Sequence, residues 1–187
     1  QKDRAIAAVR HFIDRWGRLI DTAEVYAKWL TEKIIGEAIR DVPRENVFVT
    51  SKALPSRMAS RAELFRACDR TLERLGLDSL DLYLIHARRC SFDNVVVDIP
   101  QAMEYMCDLV DAGKVRHIGV CNFNTQSLHE AQTHSKYPIV LNQVHYNLMF
   151  RECERLGLVQ YCQQNDTILQ AWWPIQQGHI VAGEPNK

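Results

Sequence analysis

Chemically capable side chains stand at the ends of six short apolar segments in this sequence. They comprise two charged residues, one imidazole, two amides and one large aromatic ring, in chain order Asp21, Lys52, His86, Asn122, Gln143 and Trp172. Taken singly, each has an ordinary structural role, because an aspartate often caps a helix and a loop lysine is usually solvated. Gathered in one place, acids, bases and amides of these types can transfer protons and hold a polar ligand.

The apolar pattern predicts that helices and strands alternate along the whole chain. Ile6, Val9, Ile13 and Trp16 recur at helical spacing, and further helices are predicted around residues 30–38, 64–75, 100–110, 127–131 and 158–162. Short apolar runs predict strands at residues 19–20, 47–50, 80–85, 115–120, 140–144 and 168–172. Since no hairpin signal joins two strands, the alternation predicts a parallel sheet built from βαβ units.

Two parallel architectures fit this alternation, a doubly wound open sheet and a (β/α)₈ barrel. A dinucleotide-binding open sheet usually shows GxGxxG at its first strand–helix turn, and the eight glycines of this sequence contain no such spacing. That observation weakens the open sheet without excluding it, because flavodoxin-like sheets lack the motif. In a barrel, the carboxyl ends of all strands meet on one face, which would bring the six side chains together.

Composition narrows the partners of the protein. The 23 basic and 23 acidic residues cancel, so no basic surplus points to a nucleic acid. No apolar run approaches the roughly 18–20 residues that a membrane-spanning helix needs. The six cysteines form no CxxC pair, which predicts reduced thiols, no metal site and a cytoplasmic location. No linker or composition shift divides the chain, so residues 1–187 are predicted to form a single domain.

Several ordered motifs resemble those of the aldo-keto reductase family. The signature segment is DTAEVY at residues 21–26, followed by Glu32 and Gly36. The pattern continues in FVTSK at 48–52, LDLYLIH at 80–86, GKVRHIGVCNF at 113–123 and NQVHYN at 142–147. The resemblance covers about residues 6–178, and it implies a nicotinamide-dependent oxidoreductase on a (β/α)₈ barrel that reduces aldehydes and ketones.

The resemblance also implies a catalytic set, which consists of Tyr26, Lys52, Asp21 and His86. Hydride transfer to a carbonyl carbon leaves an oxygen that needs a proton, and Tyr26 would supply it. A free tyrosine keeps its proton until about pH 10, so a neighbouring Lys52 ammonium is needed to favour the phenolate. Asp21 would hold Lys52 in its charged form. His86 would donate a hydrogen bond to the carbonyl oxygen and stabilise its developing charge.

The same resemblance assigns a cofactor site. Asn122 and Gln143 match the residues that bind the nicotinamide carboxamide, and Asp21 belongs to this site as well. Trp172 stands where the family places an aromatic ring, usually tyrosine, that stacks on the nicotinamide. NADP is the expected cofactor, with NAD also possible, and a small carbonyl compound is the expected substrate.

Four positions depart from the family pattern without removing a catalytic group. Ala27 replaces the glycine that usually follows the tyrosine, and Ala87 replaces the proline that usually follows the histidine. Cys121 replaces a serine, which predicts a weaker polar contact with the cofactor. Trp173 replaces the serine of the last motif, and this change puts local pyrophosphate contacts in question.

Length is the larger departure from the family. A complete barrel has eight strands and typically about 250 residues, whereas six strands are predicted here. The resemblance therefore implies a barrel truncated at both ends, with the phosphate-binding and substrate-selecting segments missing. Two alternatives to an active reductase follow, a cofactor-binding relative that regulates a partner and an inactive fragment. The natural substrate and the oligomeric state stay open.

Overall fold

A computed structural model describes residues 1–90 and 94–179 of the chain. Its strands are Leu19–Asp21 (β1), Phe48–Ala53 (β2), Leu80–Ile85 (β3), Val115–Cys121 (β4), Ile139–His145 (β5) and Ile168–Trp172 (β6). All six predicted strands are therefore confirmed. The clearest difference is in β2, which begins one residue later than predicted and continues for three residues further, so that Lys52 lies inside the strand rather than after it.

Seven α-helices occur in the described part of the chain, one before β1, one between each pair of strands up to β5, and two between β5 and β6. They are Lys2–Asp14 (α1), Leu30–Ile39 (α2), Arg61–Leu75 (α3), Ile99–Asp111 (α4), Thr125–His134 (α5), Glu152–Arg155 (α6) and Leu158–Gln164 (α7). Short 3₁₀ helices occur at Arg44–Asn46, Pro55–Ala59 and Gln176–Gly178. Local chemistry sets several of the helix starts, because Ser60, Asp98 and Asn124 each accept a hydrogen bond from a first-turn backbone N–H. No helix in these ranges has the length and apolar character needed to cross a bilayer.

The sheet has the sequential order β1-β2-β3-β4-β5-β6, and every neighbouring pair is parallel. This order is that of an incomplete (β/α)₈ barrel with six of its eight units, as predicted, and it excludes a doubly wound sheet, whose strand order reverses. The central strand β3 is buried along its whole length. The edge strands are not, since Leu19 in β1 is 46% exposed and Ile168 in β6 is 62% exposed.

Two apolar layers hold the strands in place. The main core lies between the sheet and its helices and includes Val49 and Tyr83, whereas a smaller cluster of Leu82, Leu84 and Leu141 packs separately from it. Alternate residues of a strand point to opposite faces, so Lys52 lies on the opposite face of β2 from Val49 and Ala53, both members of the main core. The catalytic lysine of the prediction therefore points towards the barrel interior.

A buried carboxylate anchors α2 to β2 close to this lysine. Glu32 has no exposed surface, and it accepts hydrogen bonds from Ser51 Oγ (2.7 Å) and Arg74 Nε (2.6 Å). Removing one partner of such a buried pair leaves an uncompensated charge, which typically costs about 3–5 kcal/mol. This contact fixes the start of α2, and with it the turn that precedes the helix.

Candidate active site

Lys52 is the centre of the polar cluster at the carboxyl ends of β1–β3. Its side chain is completely buried, and its ammonium donates to Asp21 Oδ2 (2.7 Å), Tyr26 Oη (3.0 Å) and the backbone oxygen of Thr22 (3.0 Å). An ammonium has three N–H donors, so these three acceptors satisfy it fully. A buried charge is tolerated when it is paired and hydrogen-bonded in this way. The predicted neighbourhood of Asp21, Tyr26 and Lys52 is therefore present in the structure.

The direction of the hydrogen bond between Lys52 and Tyr26 has a chemical consequence. Lys52 can only donate, so the phenol oxygen of Tyr26 is the acceptor. The hydroxyl proton of Tyr26 is thus left for another acceptor, and the side chain is 37% exposed at the rim. An acid in this position can give its proton to a ligand oxygen while the ammonium stabilises the phenolate that remains.

Tyr26 is held by a turn with an uncommon backbone conformation. The three residues after it, Ala27, Lys28 and Trp29, have φ values of 46°, 52° and 64°. Left-handed conformations cost roughly 1–2 kcal/mol for residues with a side chain. The turn is nevertheless closed by the backbone N–H of Lys28, which donates to Val25 (3.3 Å), and by Thr31 Oγ1, which donates to Tyr26 O (3.2 Å). The replacement of the usual glycine by Ala27 therefore introduces strain beside the catalytic candidate.

His86 follows β3 directly and completes the predicted set of four. Its ring meets the ring of Tyr26 edge to face, with 5.8 Å between the centroids. Burial, and then the positive charge of Lys52, lower the pKa of His86 to about 4. The imidazole is therefore neutral at pH 7, and a neutral ring keeps one N–H with which to donate to a carbonyl oxygen.

The second half of the rim carries the predicted cofactor residues. Asn122, just after β4, has a φ of 60°, and its Nδ2 donates to the backbone oxygen of His86 (3.3 Å). Its Oδ1 accepts a hydrogen bond from Trp172 Nε1 (2.8 Å). Gln143 lies inside β5, and its Nε2 donates to Asp21 Oδ1 (3.2 Å) and Gln170 Oε1 (2.7 Å). Gln143 thus links the half of the rim with the predicted cofactor residues, formed by β4–β6 (the cofactor half), to the half with Asp21, Tyr26, Lys52 and His86, formed by β1–β3 (the acid–base half).

Cys121 lies between the two amides. Its Sγ accepts a hydrogen bond from Asn122 Nδ2 (3.1 Å) and lies 3.8 Å from Gln143 Oε1. Burial raises the pKa of this thiol to about 12, so it stays neutral and acts as a weak hydrogen-bonding group between the amides. The cysteine is 2% exposed, which limits it to positioning its neighbours.

Trp172 is part of an aromatic stack that the sequence analysis did not predict. Its indole lies parallel to the imidazole of His145, with 4.2 Å between centroids and 9° between planes. Phe150 covers the imidazole as well, at 4.0 Å, and Trp173 meets Trp172 edge to face at 5.4 Å. Spacing could have identified His145 as a residue of this site. Residues two apart on a strand share a face, and His145 follows the predicted cofactor residue Gln143 by two.

Two clefts lie elsewhere on the described part of the molecule. Clefts of about 500 and 570 Å³ lie along α2–α3 and α4–α5, and none of the four catalytic candidates lines either of them. The size of a cleft is a weaker guide to chemistry here than the buried ammonium and its partners. Among residues 1–90 and 94–179, no group of three histidines, cysteines or carboxylates could hold a metal ion.

These features define a parallel-barrel protein with an acid–base cluster at the carboxyl ends of its strands, the face on which such barrels carry their chemistry. The model of the Aldo/keto reductase family matches residues 1–185. The chain therefore belongs to the aldo/keto reductase family, as its motifs indicated.

Curated relatives and solved structures agree with this assignment. The chain is 37% identical to methylglyoxal reductase YeaE of Escherichia coli (strain K12), over 95% of its own length and 60% of that protein. It is 34% identical to glyoxal reductase of Bacillus subtilis (strain 168), over 97% of its own length and 62% of that protein. The structure of the thermostable aldo-keto reductase Tm1743 with the inhibitor epalrestat is similar at a TM-score of 0.88 and 37% identity. The match covers 95% of this chain and 62% of that one. An aldo-keto reductase from Klebsiella pneumoniae in complex with NADPH is similar at a TM-score of 0.82 and 35% identity, and the match covers 95% of this chain and 60% of that one. The chain thus spans about three fifths of the length of these relatives.

Proposed function

We propose that this protein reduces small aldehydes and ketones to alcohols, with reduced NADP as the hydride donor. The observation that carries the proposal is the Lys52 ammonium, which lies 2.7 Å from Asp21 Oδ2 and 3.0 Å from Tyr26 Oη. Methylglyoxal and glyoxal reductases are among the similar proteins, so short dicarbonyl compounds are the substrates that we would test first.

The rim has residues that fit a nicotinamide. The Asn122 side chain is exposed and offers an amide, and Gln143 offers a second amide on the neighbouring strand. The carboxamide of a nicotinamide could exchange hydrogen bonds with both. The indole of Trp172 is half-buried, and His145 covers one of its faces. The other face is a flat apolar surface on which a nicotinamide ring could stack. Complexes with NADP or NADPH among the structural neighbours support NADP, and NAD stays the alternative.

The chain's own residues would act on the carbonyl oxygen. The cofactor, when bound, supplies a hydride to the carbonyl carbon. The neutral His86 ring would donate a hydrogen bond to the carbonyl oxygen and orient it, and Tyr26 would transfer its proton to the same oxygen. Lys52 would stabilise the resulting phenolate, and Asp21 would keep the ammonium fixed beside it. Each such positioned group typically contributes a factor of roughly 10²–10⁴ to the rate.

Five of the cysteines, Cys68, Cys107, Cys121, Cys153 and Cys162, are buried thiols. We take this as support for a reducing, cytoplasmic location. We also keep residues 1–187 as one barrel domain, with a small-molecule partner and neither a nucleic acid nor a membrane partner.

The experiment is to mix the chain with NADPH and methylglyoxal and to follow the loss of nicotinamide absorbance. Turnover that Tyr26→Phe lowers by at least about 10³-fold, with NADPH binding retained, supports the proposal. Binding of NADPH without turnover, measured by protein fluorescence, would instead favour a regulatory relative. A chain that binds no NADPH refutes the proposed activity for these 187 residues.

A further inference from the structure

A third cleft lies beside the Tyr26 turn but away from the catalytic candidates. We call it the Trp29 groove; it has a volume of about 450 Å³, and its walls come from the Tyr26 turn, the segment after β2 and helix α3. This volume falls within the range of small-molecule sites, about 300–1,000 Å³. None of the four catalytic candidates lines the groove.

The groove carries two cations that form no ion pair within the described part of the chain. Four of its lining residues are cations, and two of these are paired, Arg57 with Glu24 (3.1 Å) and Arg74 with Glu32 (2.6 Å). The other two, Lys28 and Arg70, are exposed and have no carboxylate within 4.0 Å in the described ranges. The groove therefore offers two cations from different elements to a ligand, one on the turn and one on α3.

The groove also presents an apolar surface. Val25 and Leu54 are half-buried in its wall, and the indole of Trp29 is 53% exposed beside them. Trp29 keeps a left-handed backbone conformation, with φ 64° and ψ −3°, although its ring is not buried in the core. Packing of the Trp29 ring does not compensate for this strain, and backbone strain of this kind is often concentrated at active sites and ligand-binding sites. Its effect in the structure is to present the indole to the groove.

We propose that the Trp29 groove binds a small amphipathic organic anion. A flat apolar body would pack against Trp29 and Leu54, and an acidic head group would lie between Lys28 and Arg70. The ring provides stacking area, and the two cations provide charge-assisted hydrogen bonds. An aromatic carboxylate combines both features in a molecule of the right size.

The test uses the full chain labelled with 5-fluorotryptophan, whose four fluorine resonances are assigned by single Trp→Phe variants. Naphthalene-2-carboxylate is titrated in without any cofactor, so the result does not depend on reductase activity. The Trp29 resonance should shift and saturate. The Lys28→Gln/Arg70→Gln variant should weaken binding by at least about tenfold, because charge-assisted bonds are lost. The uncharged naphthalene-2-methanol should bind the native chain as weakly as the carboxylate binds that variant.

Two controls separate this site from general electrostatics and from the catalytic rim. Arg4→Gln/Arg15→Gln removes the same net charge. Arg4 lies in α1 and Arg15 directly follows it, and both are exposed and take part in no described ion pair, so this variant should leave the affinity for naphthalene-2-carboxylate unchanged. His86→Gln should leave it unchanged as well. An unmoved Trp29 resonance, an unaffected Lys28→Gln/Arg70→Gln variant, or shifts restricted to Trp172 and Trp173 would overturn the proposal.

Discussion

The two halves of the rim are organised differently. In the half formed by β1–β3, the polar atoms converge on the Lys52 ammonium, which is completely buried and has three protein acceptors. In the half formed by β4–β6, the polar atoms bond in separate pairs: the Asn122 amide bonds to neutral groups, and the Gln143 amide bonds to Gln170 and, across to the first half, to Asp21. Lys52 lies on the inner strand β2, whereas Trp172 lies on β6, an edge strand with no fully buried residue.

This difference has a physical cause. A buried charge is costly unless its partners are already in place, so the protein must build the acid–base half before any ligand arrives. Neutral amides and aromatic rings can exchange one partner for another at little cost, because a typical hydrogen bond contributes only about 0.5–1.5 kcal/mol net. We therefore expect the first half to control the rate of the reaction and the second half to control cofactor affinity.

The largest expected effect is that of Lys52→Met on the rate. In the proposed mechanism the ammonium stabilises the phenolate of Tyr26, so its loss should lower the turnover of methylglyoxal about 10³-fold, equivalent to about 4 kcal/mol. Initial rates of NADPH oxidation measure this loss. NADPH affinity should change less than threefold or so, since Met keeps most of the side-chain volume. A rate within about tenfold of the native one would contradict the division between the halves.

A second prediction concerns the pH dependence of stability in the acid–base half. The pKa of His86 is about 4 in the folded chain, below its ordinary 6.5, so the unfolded chain binds more protons between these values. The contribution of His86 to the free energy of unfolding should therefore fall as pH decreases from about 6.5 towards 4, by roughly 3 kcal/mol in all, and stay constant below that.

Urea unfolding at pH 7 and near pH 4.5 measures this fall. His86→Gln removes the titrating group and should lose less stability over the same range. His11→Gln, at an exposed position of α1, is the matched control and should behave like the native chain. If the native chain and His86→Gln lost equal free energy of unfolding over this range, burial would not lower the pKa of this ring.

Trp172→Leu tests the cofactor half. Stacking of an aromatic base on a protein ring contributes about 1–3 kcal/mol, so the Kd for NADPH should rise about tenfold. The turnover at saturating cofactor should stay within about threefold of the native value, because the acid–base half is untouched. Trp16→Leu, at a residue that is 86% exposed, is the control and should change neither quantity. A large loss of turnover with unchanged Kd would reverse the assignment of the two halves.

The smallest expected effect is that of Ala27→Gly. Glycine adopts φ 46° without strain, and the relief of roughly 1–2 kcal/mol exceeds the extra chain entropy of glycine. The free energy of unfolding should increase by about 0.5–1 kcal/mol, as measured with urea. Ala8→Gly, in the exposed face of α1, should instead decrease it by about 0.5–1 kcal/mol. If both variants lose stability, the turn after Tyr26 is not strained as described.

The sequence predicted the strands of both halves but not all of their contacts. The alternation of apolar runs and helical patterns identified all six strands, and the family motifs identified the residues at their ends. The end of β2 was predicted three residues early, because Ser51 and Lys52 are polar residues inside a strand that is buried on both faces. Periodicity cannot distinguish such residues from the beginning of a loop.

Some features of the structure had little or no signal in the sequence. The left-handed turn at residues 27–29 contains alanine, lysine and tryptophan, whereas glycine or asparagine is the usual indication of positive φ. The stack of His145 on Trp172 joins β5 to β6, and its spacing on the strand indicated a shared face but not a partner. Such pairings depend on how neighbouring strands are aligned.

By itself, the sequence determined the alternation of elements, the parallel sheet and the presence of acid, base and amide groups at its strand ends, because burial and periodicity are local properties of a chain. Only the tertiary structure decided which atoms meet. Lys52 contacts Asp21 across 31 residues, and Gln143 contacts Asp21 across 122. The curvature of the sheet sets these distances, and curvature results from all six strands together.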